Sequence, residues 1–133
     1  MLILLSDHNC EGQAQAIFAV LERLGYAQML GIVLRLFTDV GLPINADDEQ
    51  VWRYCQVNSA LLLTGNRKAR GGENTLESVL RRLTTSETLP VLTIGNVQRI
   101  LSDRVYCRQC ADRLADYVLA LENYRGTSRL YLP

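Results

Sequence analysis

Three oxygen-bearing side chains, Asp7, Asp48 and Asn66, are of the types that hold a hard cation. Two carboxylates and an amide oxygen suit magnesium or manganese, which keep several waters and use few protein carboxylates. A cation held there can activate a water and neutralise charge on a phosphodiester. Each residue also has a plain structural use. Asp7 or Asn9 can cap the helix that follows. Asp47 can cap the next one while Asp48 complements its dipole. Asn66 can make a turn. A second group is basic: Arg67, Lys68 and Arg70, with Arg81 and Arg82 further on. The first three lie in a polar, glycine-containing stretch over 65–74, and surface loops of that length are often functional. Such cations would hold a phosphate backbone without reading its sequence. The alternative is an ordinary solvated loop. No aromatic residue is interleaved with these bases, so base stacking is not indicated.

These groups can meet only if the chain brings them to one edge. Leu2-Ile3-Leu4-Leu5 is the length of a strand buried on both faces, and it ends in Ser6-Asp7-His8-Asn9. Residues 10–24 carry Ile17, Leu21 and Leu24 on a helical stripe, closed by Gly25. A second strand is expected near 31–37, before the Gly41-Leu42-Pro43 stop. Asp47 with Gln50 has capping-box spacing and opens a helix that buries Val51, Trp52 and Cys55 and closes at Asn58. Ala60-Leu61-Leu62-Leu63 is the third strand, left through Thr64-Gly65-Asn66-Arg67. Asn74 with Glu77 starts a helix to about Thr84. Residues 89–94 form the fourth strand, with Pro90 near its start, where it is tolerated. A short helix over 96–101 and a long one over 103–123, with Leu114, Val118 and Leu121 on one stripe, precede Gly126 and a last strand at 130–132.

Strands alternating with helices predict a three-layer αβα fold. Its sheet would be mostly parallel, of four or five strands, with right-handed crossovers. In such sheets ligands sit beyond the carboxyl ends of the strands. Three of those ends are polar here: 6–9, 64–67 and 93–96.

The 133 residues are expected to form one domain, 1–133. Fourteen acids balance fourteen bases, so nucleic acid would need a local patch rather than a global field. No apolar run is long enough to span a bilayer, and a cytoplasmic protein with reduced thiols is expected. Cys107-Arg108-Gln109-Cys110 spells CxxC, but it falls in a helix and has no partner at zinc-site spacing. Free buried thiols are the simpler reading, with a metal or redox role the alternative. A small-molecule-binding α/β domain is the further rival. Against it, Gly12 stands alone after the first strand, with no glycine-rich phosphate fingerprint.

Asp7-His8-Asn9 after a Leu-rich strand resembles the D-E-N opening of the short PIN-like nuclease domains. Asp39-Val40-Gly41-Leu42, then Asp48 with Val51-Trp52, then Leu61-Leu62-Leu63-Thr64-Gly65-Asn66-Arg67, is similar to that group's middle section. There a D-x-G-L turn, an acid opening a helix and a strand ending T-x-D-R occur in the same order. The resemblance spans about 1–68. It implies a PIN-like fold and magnesium- or manganese-dependent cleavage of RNA, often as the toxin of a toxin–antitoxin pair. The partners it implies are RNA, a cognate antitoxin protein and a second copy of the chain. Asp7 and Asp48 would be its first and second metal-site acids. Asn66 stands where the group has a third Asp and would be a neutral ligand. His8 stands where the group has Glu. Glu73 or Glu77 could supply the missing charge from the next loop and helix, although no motif of the group assigns them. The alternative function is a PIN-like domain that no longer cleaves and instead binds RNA or a partner protein.

Overall fold

The structure is a computed structural model and describes residues 1–65 and 75–133. Among the described residues, five strands form one sheet: β1 (Leu2–Ser6), β2 (Ile32–Arg35), β3 (Leu61–Thr64), β4 (Val91–Ile94) and β5 (Arg129–Leu132). Their order is β2-β1-β3-β4-β5, and every pairing is parallel. All five carboxyl ends therefore share one edge. The helices are α1 (Glu11–Arg23), α2 (Tyr26–Leu30), α3 (Phe37–Val40), α4 (Asp48–Val57), α5 (Leu76–Leu83), α6 (Val97–Ser102) and α7 (Arg104–Leu119). This is the three-layer αβα arrangement expected from the alternation of elements.

The period-2 alternation of the strands splits the core in two. Leu4, Leu61, Leu63, Leu92, Ile94 and Leu132 turn to α1 and α7, and Leu5, Leu62 and Val91 turn to α4 and α5. Burial on both faces is why these strands are continuous apolar runs rather than alternating ones. One crossover departs from expectation. The chain moves the same way across the sheet from β2 through β5, with α4 and α5 on one face, yet α7 packs on the other, beside α1. The β4–β5 crossover thus has the opposite hand to β3–β4, so the crossovers do not all share one hand. The 13-residue α1 and short α2 cannot alone cover the apolar face of β3, β4 and β5, and α7 covers the rest.

Two short helices escaped the sequence pattern. α2 lies between Gly25 (φ 81°) and Gly31 (φ 69°), both left-handed. α3 ends at left-handed Gly41 (φ 77°), where the Leu42 N–H donates to the Phe37 carbonyl, while the Leu36 N–H donates to Asp39 Oδ2 at 2.8 Å. The Asp39-Val40-Gly41-Leu42 motif is therefore a helix-terminating turn braced at both ends. The expected helix over 103–123 ends at Leu119 and is followed by a separate 3-10 turn, Leu121–Tyr124. No helix among the described residues is long and apolar enough to cross a membrane.

Candidate functional site

β1 lies inside the sheet, and the chain leaves it toward β2 on one side, whereas β3 feeds β4 on the other. The carboxyl ends of β1 and β3 therefore flank a topological switch point, where open α/β sheets place their ligands. Asp7 stands there. Its N–H donates to the Leu63 carbonyl at 2.9 Å and continues the β1–β3 ladder by one residue. It sits at the N-cap position of the 3-10 turn His8–Cys10, but its side chain makes no capping bond. Instead Thr64 Oγ1, fully buried, donates to Asp7 Oδ2 at 2.7 Å. Asp7 is thus held across two strands rather than spent as a cap. By alternation it faces α4, where burial first, and then the Asp7 charge, raise the thiol of Cys55.

α4 supplies Asp48. The Asp47 side chain accepts from the Gln50 N–H at 2.8 Å, the capping bond its spacing predicted. That bond leaves Asp48 in the first turn, half-buried, on the helix that runs back from the carboxyl edge into β3. Glu49 beside it is held below the usual carboxylate range, first by the Arg53 hydrogen bond and also by Arg82, which reaches over from α5 at 3.4 Å. Arg82 is therefore engaged between two helices, and Arg81 is exposed.

The third strand end is not part of a carboxylate cluster. Asn96 caps α6, accepting from the Arg99 N–H at 3.3 Å. Thr93, buried, accepts from Arg129 Nη1 at 2.6 Å, and Arg129 Nη2 reaches Glu77 Oε2 at 3.1 Å. The Arg129 side chain is only 6% exposed. Glu77, considered above as a source of missing charge, is thus committed to Arg129. Nothing in the sequence marks this pair, 52 residues apart. Thr75, rather than Asn74, caps α5 by accepting from the Ser78 N–H. His8 Nδ1 lies 3.4 Å from Glu11 Oε2 without hydrogen-bond alignment.

Asn66, Arg67, Lys68, Arg70, Glu73 and Asn74 lie outside the described residues. At Gly65, just before them, a Cβ would collide with a Val97 methyl unless that side chain shifted. Among the described residues, no group of three or more His, Cys, Asp or Glu side chains is disposed to hold a metal ion. The two carboxylates, Asp7 and Asp48, are still as many as magnesium ordinarily takes from protein, with substrate phosphate and water filling the remaining positions.

Of the cysteines, Cys107 and Cys110 lie in the α1–α7 core, away from this site. All four are free and buried. Burial pushes Cys110 up to about 12, with the neighbouring Cys107 adding to the rise, and raises Cys107 as well. Burial in the α1–α7 core favours the neutral form of both thiols, which is the less nucleophilic one. Cys10 Sγ lies 3.5 Å from the Leu63 carbonyl, and burial, then the Asp7 charge, raise it to about 11. Compared with protein-family models, with curated proteins and with solved structures, the chain matches none.

Proposed function

We propose that the chain is a PIN-like, magnesium- or manganese-dependent ribonuclease whose cation is held by Asp7 and Asp48, with Asn66 as a neutral third ligand. The observation that carries this reading is Asp7 itself. It ends an interior strand at the topological switch point and is held by a buried threonine hydroxyl rather than used as a cap. A bound divalent cation would supply activation of water and neutralisation of phosphodiester charge. The Thr64 hydroxyl fixes one Asp7 oxygen and so restrains how the carboxylate is presented. Arg67, Lys68 and Arg70 would hold the phosphate backbone. A toxin of a toxin–antitoxin pair, opposed by an antitoxin protein, is the biological setting proposed.

A second reading, a PIN-like domain that binds RNA or a partner protein without cleaving, is favoured by a specific observation. Glu77 is tied to Arg129, and Asn66 carries no charge. One experiment separates the two. Single-stranded RNA is incubated with the protein in magnesium and in chelator. Metal-dependent cleavage that Asp7→Asn abolishes supports the nuclease. Retention of intact RNA under both conditions supports the binding domain.

A further inference from the structure

A groove of ≈ 480 Å³ opens where α1, α6 and α7 meet, on the face of the sheet opposite Asp7 and Asp48. α1 lines it with Ala16, Val20 and Arg23, spaced i, i+4 and i+7, so a single helical stripe makes one wall. Ile100 of α6, with Arg104 and Cys107 of α7, makes the other. The floor is apolar: Val20, Ile100 and Cys107 are all buried. Leu101, 63% exposed, carries that apolar surface outward as a lip.

The charges at this groove are of one sign. Two arginines line it and no acid does. Among the ion pairs of the described residues, neither Arg23 nor Arg104 takes part. The acids beside them in the chain are engaged elsewhere. Asp103 caps α7 by accepting from the Tyr106 N–H, and it pairs with Arg99 at 2.7 Å. Glu22 lines a different groove, along β2. Burial raises the Cys107 thiol and the Arg23 charge works against that rise, so the guanidinium is turned toward the floor. Arg104 opens α7, the end where the helix dipole favours an acid over a base. A base set against its helix, with no ion-pair partner among the described residues, departs from local preference, and such departures gather at functional surfaces.

Guanidinium forks match carboxylate and phosphate oxygens alike, and the volume is that of a small-ligand site. We infer that the groove binds a small amphipathic anion, its carboxylate or phosphate head held by Arg23 and Arg104 and its hydrocarbon part laid on Val20, Ile100 and Leu101. This site goes beyond the proposed cation site and does not depend on it, since the sheet lies between them.

The test is calorimetric titration of the full chain with octanoate and with octyl phosphate, each below its micelle concentration. One or both are expected to bind, and the tighter one names the head group. Acetate and inorganic phosphate lack the apolar part, and octanol lacks the charge. Each should bind roughly tenfold more weakly or worse. Arg23 and Arg104 are exposed, so Arg23→Gln and Arg104→Gln should leave the protein folded while each weakens binding about tenfold. Leu101→Glu, also at an exposed position, should weaken it as well by setting an acid in the lip. Failure of both amphiphiles to bind overturns the inference. So does binding that inorganic phosphate or octanol matches, or that survives both arginine substitutions in folded protein.

Discussion

One residue separates two different surfaces at the carboxyl edge of the sheet. The row Ser6, Leu63, Leu92, Leu130 runs across four strands on the side of α1 and α7, and it is buried or nearly so. The next row, Asp7, Thr64, Thr93, Tyr131, lies on the side of α4 and α5 and is polar throughout. The strands are the same and the alternation is strict, so the difference comes from what each helix layer brings. α7 brings Cys110, Ala111 and Leu114 against the first row. On the other side stand the N-terminal turns of α4 and α5, with Asp48 and Glu77. The first row, all leucine apart from the buried Ser6, therefore stabilises the fold, and the polar row is free to be specialised.

The sharpest way to break this contrast is to mutate neighbours on opposite faces. Leu63→Ala should cost about 2–5 kcal/mol, the range for emptying a fully buried leucine site, and leave any magnesium response intact. Thr64→Val keeps the volume but removes the hydroxyl that donates to Asp7. It should cost less, about 1.5–3 kcal/mol, as for a bond to a charged acceptor, and it should weaken the magnesium response. Urea unfolding with and without magnesium checks both. If the two substitutions affect the magnesium response equally, the division of the edge into two roles is wrong.

A smaller effect comes from pH. The thiol of Cys10 is raised from 9.0 to about 11, chiefly by burial and then by Asp7. A folded pKa raised above the unfolded one contributes stability that is fully present below pH 9 and lost as pH climbs through 11. The chain should therefore lose stability over that alkaline window, and Cys10→Ala should lose less of it. Melting temperatures from pH 8 to 11 for both proteins decide this.

The smallest expected effect is that of Asn66→Asp. One added negative charge should tighten magnesium binding, and without metal it should cost stability, because like charges resist ionising together. Stability should then return when magnesium is added. If both proteins show the same metal-dependent shift, Asn66 has no part in the site.

What the sequence made legible follows from local physics. The Asp47–Gln50 capping bond, the left-handed Gly25 and the Leu2-Ile3-Leu4-Leu5 strand at β1 are each decided by neighbours within a few residues. Asp7 was visible as an acid just past a buried strand, but not that Thr64, 57 residues away, would hold it. The Arg129–Glu77 pair was hidden for the same reason: it joins a last-strand residue to a helix placed by the crossover, and no local pattern records it. α2 and α3, of five and four residues, are too short to show a hydrophobic period. The opposite hand of the last crossover reflects which face remained uncovered, a property of the whole sheet.

The central claim is that Asp7 is a cation ligand at the switch point, and thermal unfolding of the wild type and Asp7→Asn in magnesium and in chelator tests it most directly. The account predicts that magnesium raises the melting temperature of the wild type and leaves that of Asp7→Asn where chelator leaves it, since only binding to the native state stabilises it. An equal rise in both proteins, or no rise in the wild type, would contradict it.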